Sequence, residues 1–126
     1  MSKYIVRRMD FKFKIWKQED DVWKFEKEIW ISRPIWSLAS DFLVKVFQEN
    51  SKPFIYDTEN LEAYFWRTPE NVIELLRLLE KIPEKHRHEL LIVFDSIDFF
   101  KRLQENKVDE VVEKLREYLV LKKVIE

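Results

Sequence analysis

The chain has 126 residues, of which 37% are charged, and its 23 basic and 24 acidic side chains leave a formal net charge of −1. It contains no cysteine and no glycine. The lack of cysteine excludes disulfides, thiolate zinc sites and cysteine nucleophiles. The lack of glycine excludes the phosphate-binding loops of nucleotide-binding proteins and the nucleophile elbow of hydrolases, because those motifs need the backbone freedom of that residue.

These exclusions favour a protein that binds rather than catalyses. We predict no cofactor, no metal, no small-molecule substrate and no enzymatic activity. No serine stands in a known motif with a histidine and an acid, so nucleophilic catalysis has no support in the sequence. An enzyme without a recognisable motif stays as the second alternative function.

Length and residue usage bound the class of protein. A chain of this size is expected to fold as a single domain over residues 1–126. Its Lys- and Glu-rich usage resembles that of small proteins of hyperthermophilic archaea and their viruses. No apolar run reaches the roughly 18 residues of a membrane span, and the first residues lack the apolar core of a signal peptide. The sequence therefore predicts a cytoplasmic protein without membrane contact, in the host cytoplasm if viral.

Residues 9–31 alternate between apolar and polar side chains, which predicts a β-hairpin with its turn at residues 19–21. The expected register puts Phe11 opposite Ile29 and Ile15 opposite Phe25. All four side chains, together with Trp23, are predicted to lie on the buried face of the hairpin.

The other face of this hairpin combines lysines, acids and tryptophans. The same register puts Lys12 opposite Glu28 and Lys14 opposite Glu26, so cross-strand ion pairs are expected. Large aromatic rings on an otherwise charged face are typical of a surface that packs against a partner. Four residues of this face form the candidate interaction site: Lys12, Lys14, Trp16 and Trp30.

Residues 34–82 are predicted to be mainly helical. Ser32 and Pro34 start a helix whose apolar stripe ends near Asn50. A short extended piece follows at residues 54–56, then a short helix that Thr58 caps, and then a helix that starts at residues 68–70 and ends at Ile82.

Residues 83–126 complete the predicted fold. The apolar run at residues 90–94 suits a buried strand, with Asp95 and Ser96 capping the next helix, although its spacing also suits a helix. Helices are expected over residues 97–104 and 109–121, joined by a turn at Asn106. The predicted class is α+β, with the N-terminal hairpin packed on about five short helices and one or two further short strands.

The helical part also resembles a known family. Residues 35–82 have the order helix, extended piece, helix, turn, helix, and residues 61–72 (LEAYFWRTPENV) look like the helix–turn–helix of a winged-helix domain. The resemblance implies DNA binding through the last helix, with Asn71, Arg77 and Lys81 as contacts. Glu70 and Glu74 share that surface and would repel phosphates, so DNA binding is the alternative function rather than the first.

Two further patterns suggest metal or nucleotide chemistry only weakly. His86 and His88 lie in a charged run at residues 84–89 and have no third ligand at a recognisable spacing. The run at residues 90–95 is similar to a Walker B strand, but the chain has no lysine loop to bind a nucleotide.

The tryptophan face therefore gives the first hypothesis, a protein-interaction or structural module that binds another protein or a second copy of itself. Single-stranded nucleic acid stacked on the rings and coverage by the C-terminal helices are the other occupants that the sequence allows for this face.

Overall fold

A computed structural model of the chain describes residues 4–60, 62–83 and 89–125. Five strands form one antiparallel sheet: β1 (Tyr4–Met9), β2 (Lys12–Glu19), β3 (Val22–Trp30), β4 (Phe54–Asp57) and β5 (Glu62–Thr68). Five helices accompany it in the described residues: α1 (Arg33–Asn50), α2 (Glu70–Glu80), α3 (Leu90–Ser96), α4 (Phe99–Gln104) and α5 (Val108–Leu121). The predicted α+β class is confirmed.

The strand order across the sheet is β3-β2-β1-β5-β4. The first three strands form a meander, and α1 then carries the chain from the β3 edge to the β4 edge. The β4–β5 hairpin returns so that β5 pairs with β1. The first strand in the sequence is therefore the central strand of the sheet, and the sequence analysis did not predict it as a strand of its own.

The helices cover one face of the sheet. The ring of Phe13 lies 5.6 Å from those of Trp36 and Phe47 in α1, and Phe47 stacks on Phe65 of β5 at 4.4 Å. We call this side the inner face, and strand alternation assigns the remaining sheet residues to the opposite, outer face. The buried inner-face residues belong to one apolar cluster that includes side chains from all five helices.

Several predicted elements are confirmed. The hairpin is formed by β2 and β3, and α1 starts after Ser32, contains Pro34 in its first turn and ends at Asn50. The short extended piece is β4, and the helices predicted near residues 70 and 109 are α2 and α5. In α1, α2 and α5 the period of the apolar residues matches the side that is buried.

The predicted register of the hairpin is wrong. Phe13, and not Phe11, lies opposite Ile29, because Phe11 belongs to the turn between β1 and β2 and has a φ of 63°. The register shifts again between Ile15 and Trp16, where β3 contains one extra residue, Glu26. Such a β-bulge interrupts the alternation, so residues before it and after it that would share a face in a regular strand point to opposite faces.

The bulge changes which side chains are buried. Of the four predicted core residues, Ile15 and Ile29 are buried and Phe11 is partly buried against Trp36. Phe25 is instead exposed, and Trp23, which was also assigned to the buried face, is exposed with it. Both residues precede the bulge, so both lie on the outer face.

The helix predicted after Thr58 is also wrong. Residues 58–60 form a turn in which the Asp57 carboxylate accepts hydrogen bonds from the backbone of Glu59 (3.0 Å) and Asn60 (3.2 Å). The following residues form β5, which pairs with β1 on one side and β4 on the other. Two neighbouring strands satisfy the backbone of this segment, and that tertiary pairing outweighs its helical spacing.

The run at residues 90–94 forms helix α3 and not the strand that we favoured. Leu90, Val93 and Phe94 are buried while Leu91 and Ile92 are exposed, and buried positions three and four apart are those of a helix. Asp95 and Ser96 lie in the last turn of α3 and do not cap the next helix. Asp98 has a φ of 51°, which interrupts the helical backbone between α3 and α4, and α4 starts at Phe99.

Turns without glycine rely on acidic and amide side chains. Seven residues with positive φ occur in the described part of the chain, and four of them are Asp20, Asp21, Asp98 and Asn106. Aspartate and asparagine tolerate this region better than other residues because their short polar side chains bond to the local backbone. Asp20 and Asp21 together form the two-residue turn between β2 and β3.

Candidate functional site

The four residues predicted as an interaction site lie together on the outer face. Phe13 and Ile15 are buried on the inner face, so alternation along β2 puts Lys12, Lys14 and Trp16 on the other side. Trp30 lies directly opposite Lys12. The ammonium group of Lys12 is 4.9 Å from the centre of the Trp30 ring, a distance typical of a cation–π contact.

The β3 bulge adds two aromatic side chains to this group. On the N-terminal side of the bulge, Phe25 lies opposite Trp16 and Trp23 lies opposite Gln18. The rings of Trp16 and Phe25 meet edge to face with centroids 5.6 Å apart. The sequence did not show that these two rings lie on the outer face. The apolar residues of β3 keep an even spacing through the bulge, although the extra residue puts those before it and those after it on opposite faces.

Strands β1, β5 and β4 extend the outer face beyond the hairpin. Ile5 lies opposite Trp16, and Arg7 lies opposite both Lys14 and Tyr64. Trp66 follows the buried Phe65 and so points outward. Sequence reasoning missed the β5 residues, although the alternation from Ala63 to Trp66 and its aromatic content were a strand signal.

The resulting outer face is rich in exposed aromatic side chains. Four of the five tryptophans of the chain lie on it, and Phe25 and Trp30 keep 57% and 55% of their surface exposed. The C-terminal helices pack mainly on α1, α2 and one another, so they do not cover it in the described part of the chain. Its aromatic members are the exposed Trp23, Phe25, Trp30 and Trp66 and the half-buried Trp16 and Tyr64.

The charges on the outer face are paired. Glu28 Oε1 lies 3.6 Å from Lys12 Nζ and 3.9 Å from Lys14 Nζ, and the Trp30 indole donates a hydrogen bond of 3.1 Å to the same carboxylate. The ion pair expected between Lys12 and Glu28 is therefore present, although the two residues are not directly opposite. Glu26, the expected partner of Lys14, lies beside α2 instead.

A second ion pair joins β1 to β5. The guanidinium of Arg7 lies 2.6 Å from Glu62 Oε2, and this hydrogen bond raises the pKa of Arg7 above its ordinary value. Three cations (Arg7, Lys12, Lys14) and three acids (Asp57, Glu28, Glu62) occupy the outer face. These six charges cancel, and the exposed Arg67 beside Trp66 adds one further cation at the end of β5.

The residues predicted to contact DNA lie elsewhere, on α2. Asn71 donates a hydrogen bond of 3.0 Å to Asp109 of α5. Arg77 lies within 3.6 Å of three carboxylates, those of Glu26, Glu70 and Glu74. Lys81 is exposed at the end of the helix.

Other polar groups of the described chain form no metal site. No set of three or more histidine and acidic side chains that could bind a metal occurs within residues 4–60, 62–83 and 89–125. His86 and His88 lie outside the described residues. Asp98 pairs with Arg102 at 3.3 Å, and Asp95 is exposed on α3.

A cleft of about 430 Å³ separates α1 from β4. Its lining combines one cation and one acid with apolar and amide side chains, and it includes no histidine, serine or threonine. The residues are Arg8, Asp41, Val44, Gln48, Phe54 and Tyr56.

No helix in the part of the chain that the structure covers has both the length and the apolar content needed to cross a bilayer. Comparison of the chain with protein-family models, with curated proteins and with solved structures gives no match.

Proposed function

We propose that this protein is a non-catalytic binding module and that its outer sheet face binds a protein. The observation that carries the proposal is the set of six aromatic side chains on a sheet face that the described helices leave exposed. Protein interfaces are enriched in tryptophan, tyrosine, phenylalanine, methionine and arginine. Met9 and Arg7 lie on the same face and add two further residue types that interfaces favour, which supports the proposal.

The paired charges favour a protein over single-stranded nucleic acid. Proteins that bind single strands combine stacked rings with a positively charged groove that follows the phosphates. Here Arg7 is held by Glu62, while Lys12 and Lys14 share Glu28. A nearly neutral face gains little from phosphates, whereas apolar burial against another protein needs no net charge.

DNA binding by α2 remains the alternative, with less support. Glu70 and Glu74 lie beside Arg77 and neutralise the surface that the winged-helix resemblance would direct into a major groove. The segment in the position of the first helix of that motif is strand β5. A second alternative, an enzyme without a recognisable motif, has no supporting arrangement of side chains in the described residues.

The proposal includes a cytoplasmic location and a source among hyperthermophilic archaea or their viruses. The Lys- and Glu-rich composition and the lack of cysteine support this part of the proposal.

Site-specific photocrosslinking in an extract of the source cells tests the binding surface. A photoreactive phenylalanine analogue replaces Phe25 on the outer face and, as a matched control, Glu113 on the exposed side of α5. We expect a protein adduct from position 25 that is lost with Trp16→Ala, and none from position 113. No adduct from position 25, or one unaffected by Trp16→Ala, contradicts the proposal.

A salt series separates the nucleic-acid alternatives. Anisotropy titrations with labelled duplex and single-stranded oligonucleotides are expected to show weak binding that does not depend on Trp16. Tight binding that falls steeply with salt would favour a nucleic-acid function instead.

A further inference from the structure

We infer that the partner of the outer face is a second copy of this chain, stacked sheet on sheet about a two-fold axis. The inference rests on the proposed function and specifies the occupant. It follows from the area of the face, its exposed apolar side chains and the positions of its charges.

The size of the face matches one interface of a stable dimer. Neighbouring strands lie about 4.8 Å apart and each residue advances a strand by about 3.3 Å, so five strands of about seven residues span roughly 24 Å by 23 Å. Protruding side chains make the accessible area larger than this projection. Specific interfaces bury about 800 Å² on each partner, an area that one such face can supply.

The exposed apolar side chains favour a permanent partner over a transient one. Phe25, Trp30 and Ile55 each leave more than half of their surface uncovered, at 57%, 55% and 56%. Large exposed apolar side chains grouped on one face are typical of an interaction surface. A second copy is present wherever the chain is present, and two-fold dimers are the commonest oligomers.

Charges on β2 and β5 complement each other across one two-fold axis, while Arg7 of β1, which then faces its own copy, keeps Glu62 as its counterion. Strands β2 and β5 each lie one strand away from β1, on opposite sides of it. A two-fold axis along β1 therefore stacks β2 on β5 of the partner subunit and β3 on its β4. Positions at one level along the strands remain at that level after the rotation.

Lys12 and Glu62 lie at one such level. Lys12 is opposite Met9 of β1, and Met9 is one residue beyond the pair Arg8–Ala63 and so is level with Glu62. The dimer then brings Lys12 of each protomer above Glu62 of the partner subunit. Within one chain two strand spacings, about 10 Å, separate these residues, so their contact would be intermolecular.

The aromatic residues match in the same arrangement. Trp16 is opposite Ile5, and the irregularity between Tyr4 and Val6 puts Trp66 at about the level of Ile5 on the other side of β1. The rotation stacks Trp16 of each protomer near Trp66 of the partner subunit. Two tryptophan pairs and two ion pairs then surround the axis.

Molecular mass in solution tests the dimer. We expect analytical ultracentrifugation of the purified chain at micromolar concentration to give twice the chain mass, and Trp16→Ala to raise the dissociation constant at least about 30-fold. Circular dichroism checks that the variant is folded. A dimer that Trp16→Ala and Trp30→Ala leave unchanged would use another surface and would overturn the inference.

Charge reversal tests the axis. In a dimer of the Lys12→Glu variant the new acid would face Glu62 of the partner subunit, and in a dimer of Glu62→Lys the new cation would face Lys12. Like charges repel in both cases, so each variant alone is expected to be monomeric. Mixing the two variants restores opposite charges at both contacts and is expected to restore the dimer. Lys114→Glu on α5 is the matched control and should dimerise normally. A mixture that stays monomeric, while the unaltered chain dimerises, contradicts the proposed axis.

The two proposals fail in different ways. A purified chain that is monomeric at all concentrations, yet gives the Trp16-dependent photoadduct with another protein, contradicts the self-association and keeps the binding function. A monomeric chain without any adduct contradicts both.

Discussion

The carboxylate of Glu26 in β3 lies 3.1 Å from the guanidinium of Arg77 in α2. Glu26 is the extra residue of the β3 bulge, and its neighbour Lys27 forms a second pair with Glu80 of α2 at 2.6 Å. Two successive strand residues thus reach the same helix, which regular alternation would prevent. The bulge serves two purposes, because it joins β3 to α2 and turns Phe25 to the outer face.

The contacts of Arg77 predict unequal effects of its loss and that of Glu26. Arg77→Ala leaves three neighbouring carboxylates without their shared cation, so we expect the free energy of unfolding to fall by about 1–2 kcal/mol. Glu26→Ala removes one partly exposed acid and is expected to cost less than about 1 kcal/mol. Urea denaturation of both variants, with Lys114→Ala as control, measures the difference. Equal losses of unfolding free energy would show that, of the three ion pairs of Arg77, only the one with Glu26 contributes to stability.

The bulge predicts which hairpin side chains matter for stability. Ile29→Ala removes a fully buried side chain, and we expect it to lower the free energy of unfolding by about 2–5 kcal/mol. Phe25→Ala, on the exposed side, is expected to cost about 1 kcal/mol or less. Both are measured by urea denaturation in the Lys12→Glu background, in which the proposed dimer is not expected to form. A large loss from Phe25→Ala would favour the register without the bulge.

The hydrogen bond between Tyr4 and Glu70 predicts a pH dependence at alkaline pH. The Tyr4 hydroxyl donates to Glu70 Oε2 at 2.7 Å, and burial together with this carboxylate raises the pKa of Tyr4 above its ordinary value. A pKa raised on folding stabilises the protein below the unfolded-state pKa of about 10. This contribution is lost as the pH rises from there through the folded-state pKa.

The Tyr4→Phe variant isolates that contribution. At neutral pH we expect it to lower the free energy of unfolding by about 1 kcal/mol, because the partly buried hydrogen bond is absent. Above about pH 10 the unaltered chain should lose stability more steeply than the variant. Denaturation curves at half-unit steps from pH 8 to about 11 test this, and parallel profiles would contradict the raised pKa.

The end of α5 predicts a stabilising substitution. Lys123 has a φ of 58°, and the next residue, Val124, donates its N–H to Leu119 O at 2.9 Å, which is the Schellman arrangement of a helix end. A side chain costs about 1 kcal/mol in this conformation, so Lys123→Gly is expected to raise the free energy of unfolding by roughly that amount. The control Lys122→Gly, at a φ of −83°, should not stabilise. Thermal and urea denaturation measure both.

The sequence predicts the helices with sustained period, and the structure shows why. In α1 and α5 the apolar stripe alone determines the buried side, so no distant contact can change it. Likewise, alternation along β2 is enough to put Lys12, Lys14 and Trp16 on one face.

The misread elements depend on contacts between distant residues. The Glu26 bulge is held by Arg77, which lies 51 residues away in the chain. Residues 62–68 form a strand because they pair with β1 and β4. A local sequence pattern does not show which strands will lie beside a segment. The sequence therefore predicted the β2 residues and Trp30 of the outer face, whereas Trp23, Phe25 and the β5 residues needed the tertiary fold.

The position of β1 makes the N-terminal segment the link between two halves of the sheet. Tyr4 and Val6 are almost fully buried, and β1 alone joins the β2–β3 hairpin to the β4–β5 hairpin. Isolated two-stranded hairpins are marginally stable in water. Without residues 4–9, the β2–β3 and β4–β5 hairpins would therefore not be joined in one sheet. The tryptophans of β2 and β5 would then no longer lie on one continuous surface.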